Sequence, residues 1–248
     1  MPVSAAAGGP ERDGCAGLAM DQDTEFQVQR RAMVAAIDLH MRTAAQQMGD
    51  EALSPTVMAV MGEVPRHEFV PVELRTYAYL DQPLPIGCDK TISQPFIVAL
   101  MTHLLDIRPT DTVLEVGTGL GYQAAVLSRL AKRVYSVEII EELAKRARGR
   151  LKRLKIGNVD IRVGDGAQGW PEHAPFDRII LTAAPHLIPP ALLVQLKKGG
   201  RMVLPAGIAD DQKLMVVDKT EQGRIRTREI LAVRFSELEG EDRAQTLS

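Results

Sequence analysis

Three glycines stand at alternate positions, Gly117, Gly119 and Gly121, in the run Val113-Leu-Glu-Val-Gly-Thr-Gly-Leu-Gly-Tyr122. Glycine there lets the chain turn sharply and lets a ligand approach backbone that a Cβ would otherwise screen. Taken alone, the motif is also compatible with a tight strand-to-helix turn. Tyr122 occupies the place where a dinucleotide fingerprint carries its third glycine, so the spacing departs from that pattern. Three carboxylates accompany the glycines. Glu115 precedes the first by two residues, Glu138 ends the next apolar run, and Asp165-Gly166 follows the one after. A carboxylate at a strand's carboxyl end can accept hydrogen bonds from both hydroxyls of a ribose, and ligands of open α/β sheets bind along that edge.

Other chemistries lose support. His40, His67, His103, His173 and His186 are scattered without paired-ligand spacing, and Cys15 and Cys88 form no CxxC pair, so no metal is expected. A formal charge of −2 and 4% aromatic residues provide neither a basic footprint nor a stacking platform for nucleic acid. The uncharged stretch from Ile179 to Leu196 contains Pro185, Pro189 and Pro190, which would break a spanning helix. The expectation is a cytoplasmic soluble protein with no membrane partner.

The elements that must position these residues alternate after Pro109. Strands are predicted at 112–117, 133–138, 159–163 and 177–182, with helices at 122–130, 141–155 and 190–196 between and after them. Gly199-Gly200 reads as a turn into a strand at 201–204. Such an order implies a parallel sheet with helices on both faces. Runs at 213–219 and 225–235, joined at Gln222-Gly223, add a terminal antiparallel pair. Upstream, Met33, Ile37 and Met41 fall on one helical stripe that Gly49 ends. Ser54-Pro55 opens a short helix, and another runs from Pro95 to Leu105. The fold class is therefore α/β, a doubly wound and mostly parallel Rossmann-like sheet with N-terminal helices. Residues 1–24 read as a disordered extension and 241–248 as a tail. Between them, 25–240 read as one domain: 25–108 a helical part with the substrate loop, 109–205 the cofactor-binding core, 206–240 the terminal strands.

The glycine loop with Glu138 and Asp165 at successive strand ends resembles the class I S-adenosylmethionine-dependent methyltransferases. The resemblance implies S-adenosyl-L-methionine as methyl donor. Glu115 would then help neutralise the ammonium region, Glu138 bind the ribose, Ile139 lie against adenine, and Asp165 accept from the adenine amino group. After the fourth strand Thr182-Ala-Ala-Pro-His186 stands where amino-group methyltransferases carry an Asn/Asp-Pro-Pro-aromatic run, which argues against base and glutamine N-methylation.

Further motifs narrow the resemblance. Val64-Pro-Arg-His-Glu-Phe-Val-Pro71, Leu84-Pro-Ile-Gly87, Thr91-Ile-Ser-Gln-Pro-Phe96, Gly164-Asp-Gly-Ala-Gln-Gly-Trp170 and Leu196-Lys-Lys-Gly-Gly-Arg-Met-Val-Leu-Pro205 resemble the protein-L-isoaspartate O-methyltransferases over roughly residues 30–235. That resemblance implies methylation of the α-carboxylate of L-isoaspartyl residues in damaged proteins and peptides, a first step in their repair, by a monomer. It places the catalytic serine on Ser93, with Thr91 and Ile92 in the same closing loop; the glycine site adds Gly117, Gly119 and Gly166. Ser93 would also serve as N-cap of the helix at Pro95. Two segments depart from the family pattern. Cys88-Asp89-Lys90 replaces small or amide residues before Thr91, and Ser236-Glu237 replaces Val-Pro after Arg234-Phe235. A cofactor-binding protein without catalysis, or a methyltransferase with another acceptor, is the competing reading. Seven basic residues between Lys145 and Lys155 are read as a solvated helix face, and His67 as structural.

Overall fold

In the computed structural model, residues 22–48, 52–208 and 210–240 are described. Of the expected extension at 1–24, residues 1–21 lie outside them, as do the tail at 241–248 and the helix stop at Gly49; residues 22–24 belong to the first helix.

Apolar runs covered on both faces make the parallel centre of the fold. Strands β3 (Thr112–Val116), β4 (Arg133–Glu138), β5 (Val159–Val163) and β6 (Phe176–Leu181) are the first four strands of a seven-stranded sheet. Three more complete it: β7 (Leu196–Ile208), β8 (Asp211–Lys219) and β9 (Ile225–Val233). The order is β5-β4-β3-β6-β7-β8-β9. From β5 to β7 all pairings are parallel; β8 and β9 continue as an antiparallel meander. Val113, Leu114, Ile179 and Ile180 are fully buried. Chain order reverses direction between β3 and β6, and the crevice at that switch point is where open α/β sheets bind ligands.

The helices lie where their apolar stripes require. In α1 (Gln22–Met48) the stripe Met33, Ile37 and Met41 is buried in the same core as Phe96, Leu100 and Leu104 of α3 (Pro95–Leu105). Helix α2 (Pro55–Glu63) begins at the anticipated proline, and Ser54 sits at its N-cap without a side-chain cap. Instead its backbone N–H donates to His103 Nδ1 at 3.1 Å. Helices α4 (Tyr122–Ser128), α5 (Glu141–Arg153) and α6 (Pro190–Gln195) complete the set. On the basic face of α5 and just past its end, Lys145, Arg148, Lys152, Arg153 and Lys155 are exposed. Arg150 donates to the Glu68 carbonyl at 2.9 Å, Arg153 to the Glu68 carboxylate at 2.5 Å and Arg148 to the Ile161 carbonyl at 2.9 Å.

One local expectation needs correction. Gly199-Gly200 does not turn into a strand; it lies inside the 13-residue β7. Gly199 adopts φ +76° and the register with β6 slips between Phe176 and Arg178, so the strand bulges there without breaking. The stretch before Thr91 carries a pairing that sequence spacing did not announce. Strands β1 (Leu84–Gly87) and β2 (Lys90–Ile92) form an antiparallel hairpin. Its two turn residues, Cys88 and Asp89, are both left-handed at φ 53° and 54°, the arrangement that matches the twist of a two-residue hairpin.

Candidate active site

Strand β3 delivers the glycines to the switch point. Gly117 has φ +94°, and a Cβ added there would lie 2.5 Å from Thr182 Oγ1. The position is closed to any other residue, since both backbone conformation and space are lacking. The crowding has a purpose: Thr182, just past β6, donates from Oγ1 to the Gly117 carbonyl at 2.5 Å and from its N–H to the Val116 carbonyl at 2.9 Å. These bonds join the glycine loop to the end of β6.

Around this junction lies a cavity of about 450 Å³. One part of its wall comes from strand ends: Gly117, Gly119, Glu138, Ile139 and Gly166. Glu138 is only 6% exposed, and its Oε2 and Oε1 accept from the N–H groups of Gly119 (2.8 Å) and Ile140 (3.0 Å). Burial pushes its carboxyl up from the ordinary range, against those two hydrogen bonds. Beside it Ile139 exposes an apolar side chain. Another part of the wall comes from the N-terminal region: Thr91, Ser93, Gln94, Lys90 and His40. The third is the C-terminal segment from Leu231 to Glu239.

Most anticipated residues meet at this cavity, and three are placed differently. Ile92 is buried and lines a second cavity of about 50 Å³ on the inner side of the same loop, with Ser93, Gly117 and Gly119. Asp165 caps the short turn Gly166–Gln168 by accepting from Ala167 N–H at 2.8 Å, and Gly240 packs against its carboxylate. Its neighbour Gly166, not Asp165, lines the cavity. Glu115 is fully buried beneath the glycine loop, where it accepts from Ser136 Oγ, which in turn meets Thr118 Oγ1 at 2.5 Å. Burial pushes its carboxyl up to about 8, so at neutral pH it is largely a protonated support for the loop. Nor does Ser93 cap α3. Gln94 holds that position, and the helix N-terminus is satisfied by Asp81, whose Oδ1 accepts from Phe96 N–H at 2.8 Å. Ser93 itself lines the cavity.

Contacts invisible to sequence spacing hold the serine loop in place. Arg66 is completely buried, donates to the carbonyls of Ser93 (Nη2, 2.7 Å) and Ala78 (Nε, 2.8 Å), and lies 4.8 Å from the centre of the Tyr122 ring. One side chain therefore links the serine loop to the first residue of α4. Lys90 bridges to Glu239 at 2.6 Å, tying the hairpin to the C-terminal segment. That segment is fixed through its backbone: Ala184 N–H donates to Ser236 O and Leu238 N–H to Ala184 O, both at 2.8 Å. Gln212, buried at the start of β8, clamps Phe235 with both ends of its amide. Ser236 and Glu237, where the sequence departs from the family pattern, thus lie in a segment beyond β9 that is held by backbone hydrogen bonds and an isolated bridge to Ala184. His67 is structural, as expected, buried against Phe26 with Nδ1 2.7 Å from Tyr79 Oη.

A sequence model described as protein-L-isoaspartate(D-aspartate) O-methyltransferase matches residues 42–243. The chain belongs to that family. It is 59% identical over 217 residues to protein-L-isoaspartate O-methyltransferase 1 of Polaromonas sp., covering 88% of this chain and 92% of the relative. It is 55% identical over 219 residues to protein-L-isoaspartate O-methyltransferase 2 of Syntrophobacter fumaroxidans, covering 88% and 89%. Among solved structures, a protein-L-isoaspartate O-methyltransferase superposes with a TM-score of 0.73 at 29% identity, over 85% of this chain and 66% of that one. A Plasmodium falciparum structure titled as a putative enzyme of the same type, in complex with S-adenosyl-L-homocysteine, superposes with a TM-score of 0.69 at 22% identity, over 85% and 98%, and carries the fold alone. The family's fold is thus present over 85% of the chain. No group of three or more metal-ligating side chains occurs among the described residues. Nor is any helix among them long and apolar enough to cross a membrane.

Proposed function

We propose that the chain methylates the α-carboxylate of L-isoaspartyl residues in proteins and peptides, with S-adenosyl-L-methionine as donor and Ser93 as the residue that orients the acceptor. The observation that carries this reading is the meeting of Ser93, Gly117, Gly119 and Glu138 on one cavity. The donor set suits S-adenosylmethionine: a buried carboxylate for a ribose diol, exposed Ile139 for the face of adenine, and glycine backbone where the methionine end must approach closely. When bound there, the cofactor supplies a methyl group on cationic sulfur, which leaves as a neutral thioether while the acceptor oxygen becomes an ester oxygen.

The chain's own residues have a modest chemical task. A carboxylic acid with an ordinary pKa of about 3.5–4 is already ionised at neutral pH, so no general base is needed. Ser93 donates a hydrogen bond to one acceptor oxygen and so directs the other. The hairpin carrying Lys90 and the C-terminal segment carrying Glu239 close the cavity from two sides and exclude water. Orientation and water exclusion supply most of the rate in such a displacement. Arg66, through the Ser93 carbonyl, keeps the hydroxyl in place. Ser93→Ala is expected to lower kcat about 10- to 100-fold and to leave the dissociation constant for the cofactor within about twofold. Parallel losses in turnover and cofactor affinity would contradict the orienting role.

A further inference from the structure

Three side chains from separate parts of the chain meet beside the cavity, and two of them, His40 and Gln94, line it. His40 comes from α1, Asp81 from the loop before β1, and Gln94 from the residue ahead of α3. His40 Nδ1 lies 2.9 Å from Asp81 Oδ2, and Gln94 Nε2 donates to the same oxygen at 3.1 Å. The imidazole also lies flat on the Phe96 ring, with centroids 3.9 Å apart and planes 9° from parallel. Gripped on its edge and its face, the ring has one orientation. A carboxylate against Nδ1 keeps the proton there, which makes Nε2 the available pole. No described residue forms a hydrogen bond to Nε2.

The molecule contains its own control. His67 is held in much the same way, stacked on Phe26 with Nδ1 on Tyr79 Oη, yet it is buried in the core. His40 instead leaves 40% of its side chain exposed and lines the cavity together with Ser93 and Gln94. The strand-end wall suits the cofactor, so an acceptor reaching Ser93 must use the space bounded by the N-terminal and C-terminal walls. Helix α1 packs against both α3 and β9 there.

Resting on the function proposed above, we infer that His40 is a specificity-determining residue, whose Nε2 accepts a hydrogen bond from a peptide N–H beside the isoaspartyl carboxylate. In an isoaspartyl residue the chain continues through the side-chain methylene. The free carboxylate then lies on the α-carbon. Its separation in bonds from the following N–H is the same as in an ordinary aspartyl residue, but it is closer by one bond to the residue's own N–H. An acceptor atom fixed by Asp81 and Phe96, at a set distance from Ser93, reads that spacing.

The test uses the full chain and a short isoaspartyl peptide. His40→Phe keeps the ring on Phe96 and removes both nitrogens; His40→Gln restores a polar atom near the position of Nε2. His40→Phe is expected to raise KM for the peptide about tenfold while kcat and KM for S-adenosylmethionine stay within about twofold, and His40→Gln to fall between it and the parent. Calorimetric titration of the peptide into protein saturated with S-adenosylhomocysteine should show the same loss of affinity without turnover. Where His40→Phe lowers the melting temperature, His40→Gln carries the test by the same two readouts. Unchanged peptide KM and affinity in the variants, with an active parent, would overturn the role of His40 alone. Failure of the parent to methylate the peptide would overturn the proposed function.

Discussion

Glu115 is the residue whose chemistry departs furthest from its surface analogues. Its carboxyl, ordinarily near 4.5, is raised to about 8 first by burial, with Glu138 adding to the shift and the Ser136 hydrogen bond opposing it. A carboxyl raised on folding favours the folded state fully below its unfolded pKa. That contribution is lost as pH rises through the folded value. Glu115→Gln imitates the protonated form at every pH. The melting temperature of the variant should therefore gain on that of the parent from about pH 5 to pH 8 and level off above it. A gap independent of pH would mean that Glu115 does not titrate beneath the loop. The role of Glu115 was hidden from sequence spacing, because the pairing of β3 with β4 sets Ser136 opposite it from 21 residues away. His40 and Asp81, 41 residues apart, were hidden for the same reason. Glu138, by contrast, was legible, since a carboxylate ending the strand after a glycine loop has few other places to go.

At the scale of elements, the glycine loop and the serine hairpin make separable predictions. Gly117→Ala adds a Cβ 2.5 Å from Thr182 Oγ1 at a backbone φ of +94°. It should cost about 2 kcal/mol or more of stability and remove most cofactor binding, as seen by denaturant unfolding and by calorimetry. Near-parental values for both would show that the loop relaxes freely. The Lys90–Glu239 bridge is partly exposed, so it contributes only about 0–1 kcal/mol. Lys90→Ala should accordingly leave the melting temperature almost unchanged and weaken cofactor binding by no more than about fivefold, the difference from the parent shrinking at high salt. A large loss insensitive to salt would indicate that Lys90 touches the ligand and does not merely hold the hairpin down. Helix α3 and the strands β3 to β6 were readable because their apolar periods and prolines are local signals. The β1–β2 hairpin was not, because its turn places Cys88 and Asp89 in a conformation that hairpins usually reserve for glycine and asparagine. The bulge in β7 was misread as a turn for a related reason, since paired glycines signal either and only the register with β6 decides.

In the molecule as a whole, the helical part and the sheet share the larger of two buried cores, while residues such as Leu114, Phe176 and Met202 belong to the second. Met33 and Ile37 of α1, Phe96 of α3, Val113 of β3, Val134 of β4 and Val216 of β8 belong to a single buried cluster. The helical part and the sheet should therefore unfold together, in one calorimetric transition whose enthalpy agrees with its van't Hoff value. Two resolved transitions would divide the chain where the sequence reading placed only a boundary within one domain. The alternating grammar after Pro109 made the sheet legible, together with the edge where ligands bind. The closure of the cavity was less so, since it depends on α1 and on Arg234–Glu239 returning from opposite ends of the chain. Near-neutral net charge agrees with a site that must accept damaged segments of many sequences. In the proposed function the recognition it needs is local, around Ser93, Glu138 and His40. The most direct test of that account is transfer of labelled methyl from S-adenosylmethionine to matched peptides that differ only in an isoaspartyl or an aspartyl linkage. The account predicts base-labile label on the isoaspartyl peptide and little on its aspartyl twin. Equal labelling of the two, or cofactor binding with transfer to neither, would contradict it.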